Sequence, residues 1–473
     1  MGGRGRERRP CSQTGRVRQG ALGLARAFFR SFPCCASARN LSRAWRRVRV
    51  RRGVCARRQV KIFKEGKLKQ LMHPAEIWAL ARYKARGGLR SYVKTEDEHV
   101  SFCNEAIGKV SRSFTAVIRQ LPESMCLDIM IFYLVLRALD TIEDDMDAFS
   151  DDVQVKVNHL QTFYKVALTD EHFSMSGVGQ GDERWLLENF SHVVVVLSSL
   201  PPASREIIAD ITRQMGCGMA EFVSKDLGEG TTTVAEYNRY CHFVAGLVGH
   251  GLSRLFTASG FEDAEIARDL DLANDMGLFL QKTNIIRDYL EDYVDGRAWW
   301  PQEVWKKHSK SGKLGEFAQP EARPQALACL NELVTDALEL VPRCIQYMER
   351  LRDPQIFCFC AIPQVMAIAT LEKCFNNELV FSGVVKIRKG LMCKVMLDTS
   401  HIDELNRWFY SFTARVRGRI DRNDPNAERT TKVCDTILTL TAKSAPSRLE
   451  SALRIVLPVV FASGAYFLVS RRK

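Results

Sequence analysis

From about residue 97 to about residue 415, apolar residues recur three and four positions apart, the spacing that lines one face of an α-helix. Strict alternation and hairpin turn signals are scarce, so the pattern predicts an all-α fold. Pro122, Pro201-Pro202, Pro301, Pro342 and Pro354 fall between the periodic segments, where helix boundaries belong. Folded chain is expected to start in earnest at residues 72–86. Residues 169–182 contain Gly and Ser and predict a surface loop. The expected organisation is an extension over 1–58, a helical domain over 59–420, a polar linker over 421–454 and an apolar span over 455–470.

Two apolar runs invite a membrane assignment. Residues 356–371 contain Pro363 and Gln364 and lie inside the helical body, which favours a buried core helix. Residues 455–470 are sixteen uncharged positions between Arg454 and Arg471-Arg472-Lys473. As a helix they reach about 24 Å, slightly short of the ~27 Å core of an endoplasmic-reticulum bilayer. Flanking arginines can snorkel to cover the difference. Residues 1–30 lack a clean apolar stretch of the signal-peptide kind, so a C-terminal tail anchor with a cytosolic body is expected.

Charge sharpens this division. The net charge is +13, but residues 1–58 hold 17 Arg and a single acid, Glu7, leaving 51 basic and 54 acidic residues beyond them. The basic character belongs to the extension, so no nucleic-acid role is expected for the body. The extension reads as a disordered tail, an Arg-rich transit peptide or an artefact of the assumed start. Fifteen cysteines are scattered without a CxxC, as reduced buried thiols are.

The chemistry sits in two acidic clusters. Asp140-Thr141-Ile142-Glu143-Asp144 follows a long apolar run, and Asp288-Tyr289-Leu290-Glu291-Asp292 follows another, 148 residues later. On a helix the three acids of each share one face. They repel, and at the end of a buried helix they need something to neutralise them. A lone acidic helix end is ordinarily solvated; two near-identical ones suggest a clamp for a Mg²⁺-bound diphosphate, because Mg²⁺ takes a few carboxylates and completes its shell with water and phosphate oxygens. Gln281, Asn284, Asp288 and Asp292 continue the second stripe at helical spacing. Loss of such a diphosphate from an allylic carbon leaves a carbocation, which calls for metal on one side and aromatic walls on the other.

These stretches resemble squalene synthases, members of the head-to-head trans-isoprenoid synthases. The resemblance runs through residues 133–146, 284–292, Gly296-Arg297, 300–305, 240–249 and 360–369, and covers roughly 72–395. It implies the isoprenoid synthase helical bundle with a central cavity. It also implies joining of two farnesyl diphosphates to presqualene diphosphate, then rearrangement and reduction to squalene with NADPH. By resemblance, Asp140, Glu143, Asp144, Asn284, Asp288, Glu291 and Asp292 hold Mg²⁺ (or Mn²⁺). Ser111, Arg112, Ser113, Phe114, Tyr133, Arg137, Gln281, Arg287 and Arg297 are expected near diphosphate or NADPH. Tyr240 takes the acid/base role of the first half-reaction, and Phe357 and Phe359 line the second-step pocket. Lys386 and Arg388, in a basic run ending at Gly390, resemble a segment for NADPH phosphate; without a GxGxxG turn, nicotinamide binding falls to side chains in a helical cleft. A monomer on the endoplasmic-reticulum membrane is expected.

The extension over 1–58 has no family counterpart, the loop at 169–182 looks long, and the match fades beyond about 395. None of these is expected to touch the clusters. Three rivals remain at this level: a phytoene- or dehydrosqualene-type synthase, which condenses without reducing; an inactive membrane scaffold; and an Arg-rich RNA-binding protein.

Overall fold

The computed structural model describes residues 61–63, 72–85 and 95–445. Every described residue belongs to one compact unit of the chain. The Arg-rich extension and the apolar segment 455–470 lie outside the described residues.

The body is almost wholly helical, as the periodicity predicts. Helices start where the prolines say. Pro122 precedes the helix Glu123–Asp144, Pro202 opens Pro202–Val223, Pro301 precedes Gln302–Trp305, and Pro342 lies in the first turn of Val341–Glu349. Asp353 caps Pro354–Cys374 by accepting from the backbone N–H groups of Gln355 (2.8 Å) and Ile356 (2.9 Å). That helix is long and apolar enough to cross a membrane, but it is mostly buried within the protein. Gln364 donates its amide N–H to the Met276 carbonyl of a neighbouring helix at 3.1 Å, while its amide oxygen is buried without a partner among the described residues. The core-helix expectation for 356–371 therefore holds.

At the centre, Leu270–Arg287 packs against Pro354–Cys374, Leu247–Ala258, Arg323–Leu338 and Val341–Glu349. It is buried from Met276 to Arg287, including the consecutive polar residues Gln281, Lys282, Thr283 and Asn284, of which Lys282 pairs with Asp336 at 2.6 Å. Glu123–Asp144 is likewise buried from Ile129 to Glu143. Among the described residues all eleven cysteines are free, and burial pushes the thiols of Cys103 and Cys241 up to about 12.

Two expectations need correcting. Strand β1 (Lys61–Phe63) pairs in parallel with β2 (Gly383–Val385), so ordered chain begins before residue 72. Three residues are too few for alternation to register in a sequence. Residues 421–454 are not all linker: Ala427–Leu440 is a helix packed on Ile402–Arg417, with Cys434 and Ile437 fully buried. Its apolar stripe, Val433, Cys434, Ile437 and Leu440, is diluted by polar neighbours on the other face.

Candidate active site

The first cluster ends the helix Glu123–Asp144, and its carboxylates are more buried than an exposed helix end allows: Asp140 is 3% and Glu143 1% exposed. The second cluster straddles a joint. The helix Leu270–Arg287 ends at Asp288, and Tyr289–Val294 continues from it, yet Asp288 and Asp292 still donate their N–H groups to the carbonyls of Asn284 and Asp288. The helical register of Gln281, Asn284, Asp288 and Asp292 therefore survives the joint. Gln281 and Asn284 are fully buried, and both amide atoms of Gln281 have no hydrogen-bond partner among the described residues.

Arg297 ties the clusters together. Its N–H donates to the Asp292 carbonyl (3.0 Å), after Gly296 turns the chain back at φ +78°, a conformation that favours glycine. Its guanidinium donates to Glu143 Oε1 at 2.8 Å and lies 3.6 Å from Asp144 Oδ1. Arg287 forms a two-point pair with Asp288, at 2.9 and 2.6 Å. Arg137 donates to the Tyr133 hydroxyl (2.9 Å) and faces Glu183 at 3.5 Å. The chain's own cations thus supply part of the neutralisation that the clusters require.

Asp140 is the exception. Burial holds its carboxyl well above the usual carboxylate range; Arg137 pulls it back, and Asp144, Glu143 and Glu183 push it further up. Among the described residues no three His, Cys, Asp or Glu side chains converge as a metal site. The donors fit a hard cation all the same: they are carboxylate oxygens, with the unpartnered Gln281 amide beside them on the second stripe, and a diphosphate would complete the shell.

Tyr240 is fully buried against this corner. Its ring stacks on Trp299 with centroids 3.6 Å apart and meets Phe222 edge-on at 5.2 Å. The hydroxyl has no hydrogen-bond partner among the described residues. Burial pushes its pKa well up, and Glu143 adds to the shift. A π-helical turn, His242–Gly246, begins two residues later, an irregularity common at functional sites. Trp299, whose indole N–H is also buried without a partner among the described residues, was not singled out from the sequence; its place two residues past Arg297 was the available signal.

Ser111 caps the helix Arg112–Ile118 by accepting from the Phe114 N–H. Phe114 lies 5.6 Å from the Tyr133 ring and also lines an apolar cavity with Leu252, Met276, Leu280, Tyr347 and Phe359. The cavity is narrow, about 50 Å³. Phe357 is buried nearby on the same helix but does not line it. The side chains of Arg112 and Ser113 lie outside the described residues. Arg388 is committed to a two-point pair with Glu76, at 2.8 and 2.6 Å, while Lys386 is exposed.

The loop at 169–182 reaches the first cluster at Thr141, contrary to expectation, and holds Asp145, the residue just after it. The Gly179 N–H donates to Asp145 Oδ2 at 2.7 Å, and Lys156 donates to the Asp145 carbonyl at 3.0 Å. Three glycines, Gly177, Gly179 and Gly181, take positive φ there, which lets the loop fold back onto the motif. Its length hid this, because sequence distance says nothing about return contacts.

Residues 107–390 match the squalene/phytoene synthase family. Squalene synthase of Homo sapiens is 45% identical over 376 residues, covering 79% of this chain and 88% of that protein.

The chain belongs to the squalene/phytoene synthase family.

Squalene synthase BSS of Botryococcus braunii is also 45% identical, over 72% of this chain and 73% of that one. The solved complex of TcSQS with the ligand BPH1237 is 42% identical, with a TM-score of 0.70 over 74% of this chain and all of that one. The helical body has the isoprenoid synthase fold, and within this family the chain is a prenyl-transferring enzyme with squalene synthase function.

Proposed function

We propose that this enzyme joins two farnesyl diphosphates into presqualene diphosphate at the Arg297-linked clusters, then rearranges and reduces that intermediate to squalene with NADPH. The observation that carries the reading is Arg297 itself. It leaves the second acidic motif and lands on Glu143 and Asp144 of the first, beside Tyr240. Two motifs 148 residues apart thereby form one polar pole, and Phe114 and Tyr133 lead from it towards the apolar cavity.

Asp140, Glu143 and Asp144 on one side, and Asn284, Asp288, Glu291 and Asp292 on the other, would hold Mg²⁺. When bound, that ion supplies the Lewis acidity that makes diphosphate a good leaving group. The chain's residues do the rest. Arg137 and Arg297 orient the anion, and Arg287 fixes the Asp288 carboxylate. The Tyr240 phenol stays protonated at neutral pH, because burial and the neighbouring carboxylates disfavour its anion. It therefore acts first as an acid, giving its proton to the departing diphosphate, and the transient phenolate then takes the proton lost from carbon as the cyclopropane ring closes; it is not a standing phenolate. Trp299 and Phe222 pack on the Tyr240 ring, stacked and edge-on, and so hold its hydroxyl in place beside the clusters. Phe359 and Phe114 exclude water from the prenyl chain, which enters the narrow cavity by displacing the flexible ends of Met276, Leu252 and Leu280.

For NADPH, exposed Lys386 is the first contact for phosphate; Arg388 joins only by exchanging its Glu76 partner. The protein acts as a monomer on the endoplasmic-reticulum membrane, held by residues 455–470 with its body in the cytosol. Labelled farnesyl diphosphate with Mg²⁺ tests the reading. Squalene is expected with NADPH, and presqualene diphosphate or unreduced products without it. A C30 product identical with and without NADPH would move the enzyme to the non-reducing, phytoene-type branch.

A further inference from the structure

Ten large hydrophobic side chains are exposed among the described residues, and three of them, Met72, Ile77 and Trp78, fall within seven positions. Scattered apolar residues on a surface need no explanation, but a cluster does. Trp78 is the most exposed of the ten, at 66%. It lies on the helix Pro74–Ala85, one turn before Ala81 and Arg82, both also exposed. Burying one Trp side chain is strongly favourable, so leaving it in water marks a surface that meets an apolar phase.

Among the described residues, the exposed charge on this helix has one sign. Glu76 is the only acid on this helix, and it faces inward to Arg388. The exposed charges of the helix are Arg82 and Lys84. The helix packs against Lys389–Leu397, and the Glu76 backbone lies against Gly390. Lys386 and Lys389, on either side of the paired Arg388, are exposed as well, and residues 386–397 contain no acid. The Glu76–Arg388 pair thus removes the single negative charge and fixes the helix, leaving an aromatic and aliphatic patch rimmed by lysine and arginine. Tryptophan with basic residues beside it is the side-chain set that settles at a lipid headgroup boundary.

We infer that the helix Pro74–Ala85 is a second membrane contact: it lies on a bilayer surface bearing anionic headgroups, with Trp78 and Ile77 inserted and Arg82 and Lys84 on the phosphates. This contact is separate from the C-terminal anchor and adds a fixed orientation to it. A chain held only by a C-terminal tail can swivel; one held at two points keeps one face towards the lipid that receives an apolar product.

The test uses the full chain reconstituted into vesicles of phosphatidylcholine and phosphatidylserine, with and without bromine on the acyl chains. Brominated lipid is expected to quench a component of the tryptophan emission that is missing in Trp78→Phe. The double variant Arg82→Glu, Lys84→Glu is expected to lose most of that component, as is the wild type in high salt. Equal quenching in wild type and Trp78→Phe overturns the inference, and so does a Trp78 shielded from both lipid and acrylamide, which would mean a protein cover. Alkaline carbonate extraction reads the C-terminal anchor separately: a chain that resists extraction yet shows no Trp78 quenching contradicts this contact alone.

Discussion

Tyr240 carries a hydroxyl that is buried, unpartnered among the described residues and stacked on Trp299. Such a group contributes little to folding, since an unsatisfied buried hydroxyl costs about 1–3 kcal/mol. Tyr240→Phe is therefore expected to keep or slightly raise the melting temperature while abolishing presqualene diphosphate formation. A destabilised variant that still makes the intermediate would turn the residue into a packing element. Phe359 poses the opposite case. It is an anchor of the apolar cavity, and Phe359→Ala should cost about 3–5 kcal/mol of stability. It should also let presqualene diphosphate accumulate, because water and misaligned rearrangement enter where the ring stood; product analysis by mass spectrometry reads this directly. The residue types at the site were legible in the sequence, since acids at i, i+3 and i+4 have few structural reasons to recur. Their partners were not. That Arg297 would reach Glu143, or that Arg388 would be held by Glu76, depends on contacts across 154 and 312 positions that no local pattern encodes.

At the scale of elements, the glycine loop on the first motif makes a sharp prediction. A Cβ on Gly179 would stand 2.3 Å from Thr141 Cγ2, and φ is +76°. Left-handed backbone alone costs a non-glycine residue about 1–2 kcal/mol. Gly179→Ala is expected to lower stability by at least that much and to lower turnover, because it pushes the loop off Asp145; unchanged kinetics would show that the loop merely covers the motif. A second element reports on pH. Hydrogen bonds from the Ser311 hydroxyl and N–H, and from Ser309, hold the Glu316 carboxyl down at about 2, against an ordinary value of 4.5. A depressed carboxyl stabilises the folded state above its unfolded value and loses that contribution as pH falls through the folded one. The stability gap between wild type and Glu316→Gln in urea should be full above pH 4.5 and shrink below it; a gap that does not change with pH contradicts this cap. Helix existence and proline boundaries were readable because period and breaker chemistry are local. The strand at 61–63 and the helix at 427–440 escaped, one for being three residues long and the other for a thin apolar stripe.

For the whole molecule, the two acidic helix ends are joined by Arg297, with apolar cavity lining leading away from them. The all-α class and the family followed from sequence pattern and motif, and the structure and relatives agree. What sequence could not supply was the degree to which the clusters neutralise themselves. Arg297 and Arg287 pair with Glu143 and Asp288, while burial holds the Asp140 carboxyl well above the usual carboxylate range. Removing one carboxylate should then disturb binding of the Mg²⁺–diphosphate far more than the fold. The most direct measurement is turnover of labelled farnesyl diphosphate by Asp140→Asn and Asp288→Asn, with helical content and melting temperature recorded on the same samples. The account predicts near-complete loss of product in each variant with the helical fold retained; near-normal turnover in either would contradict a single diphosphate site built from both motifs.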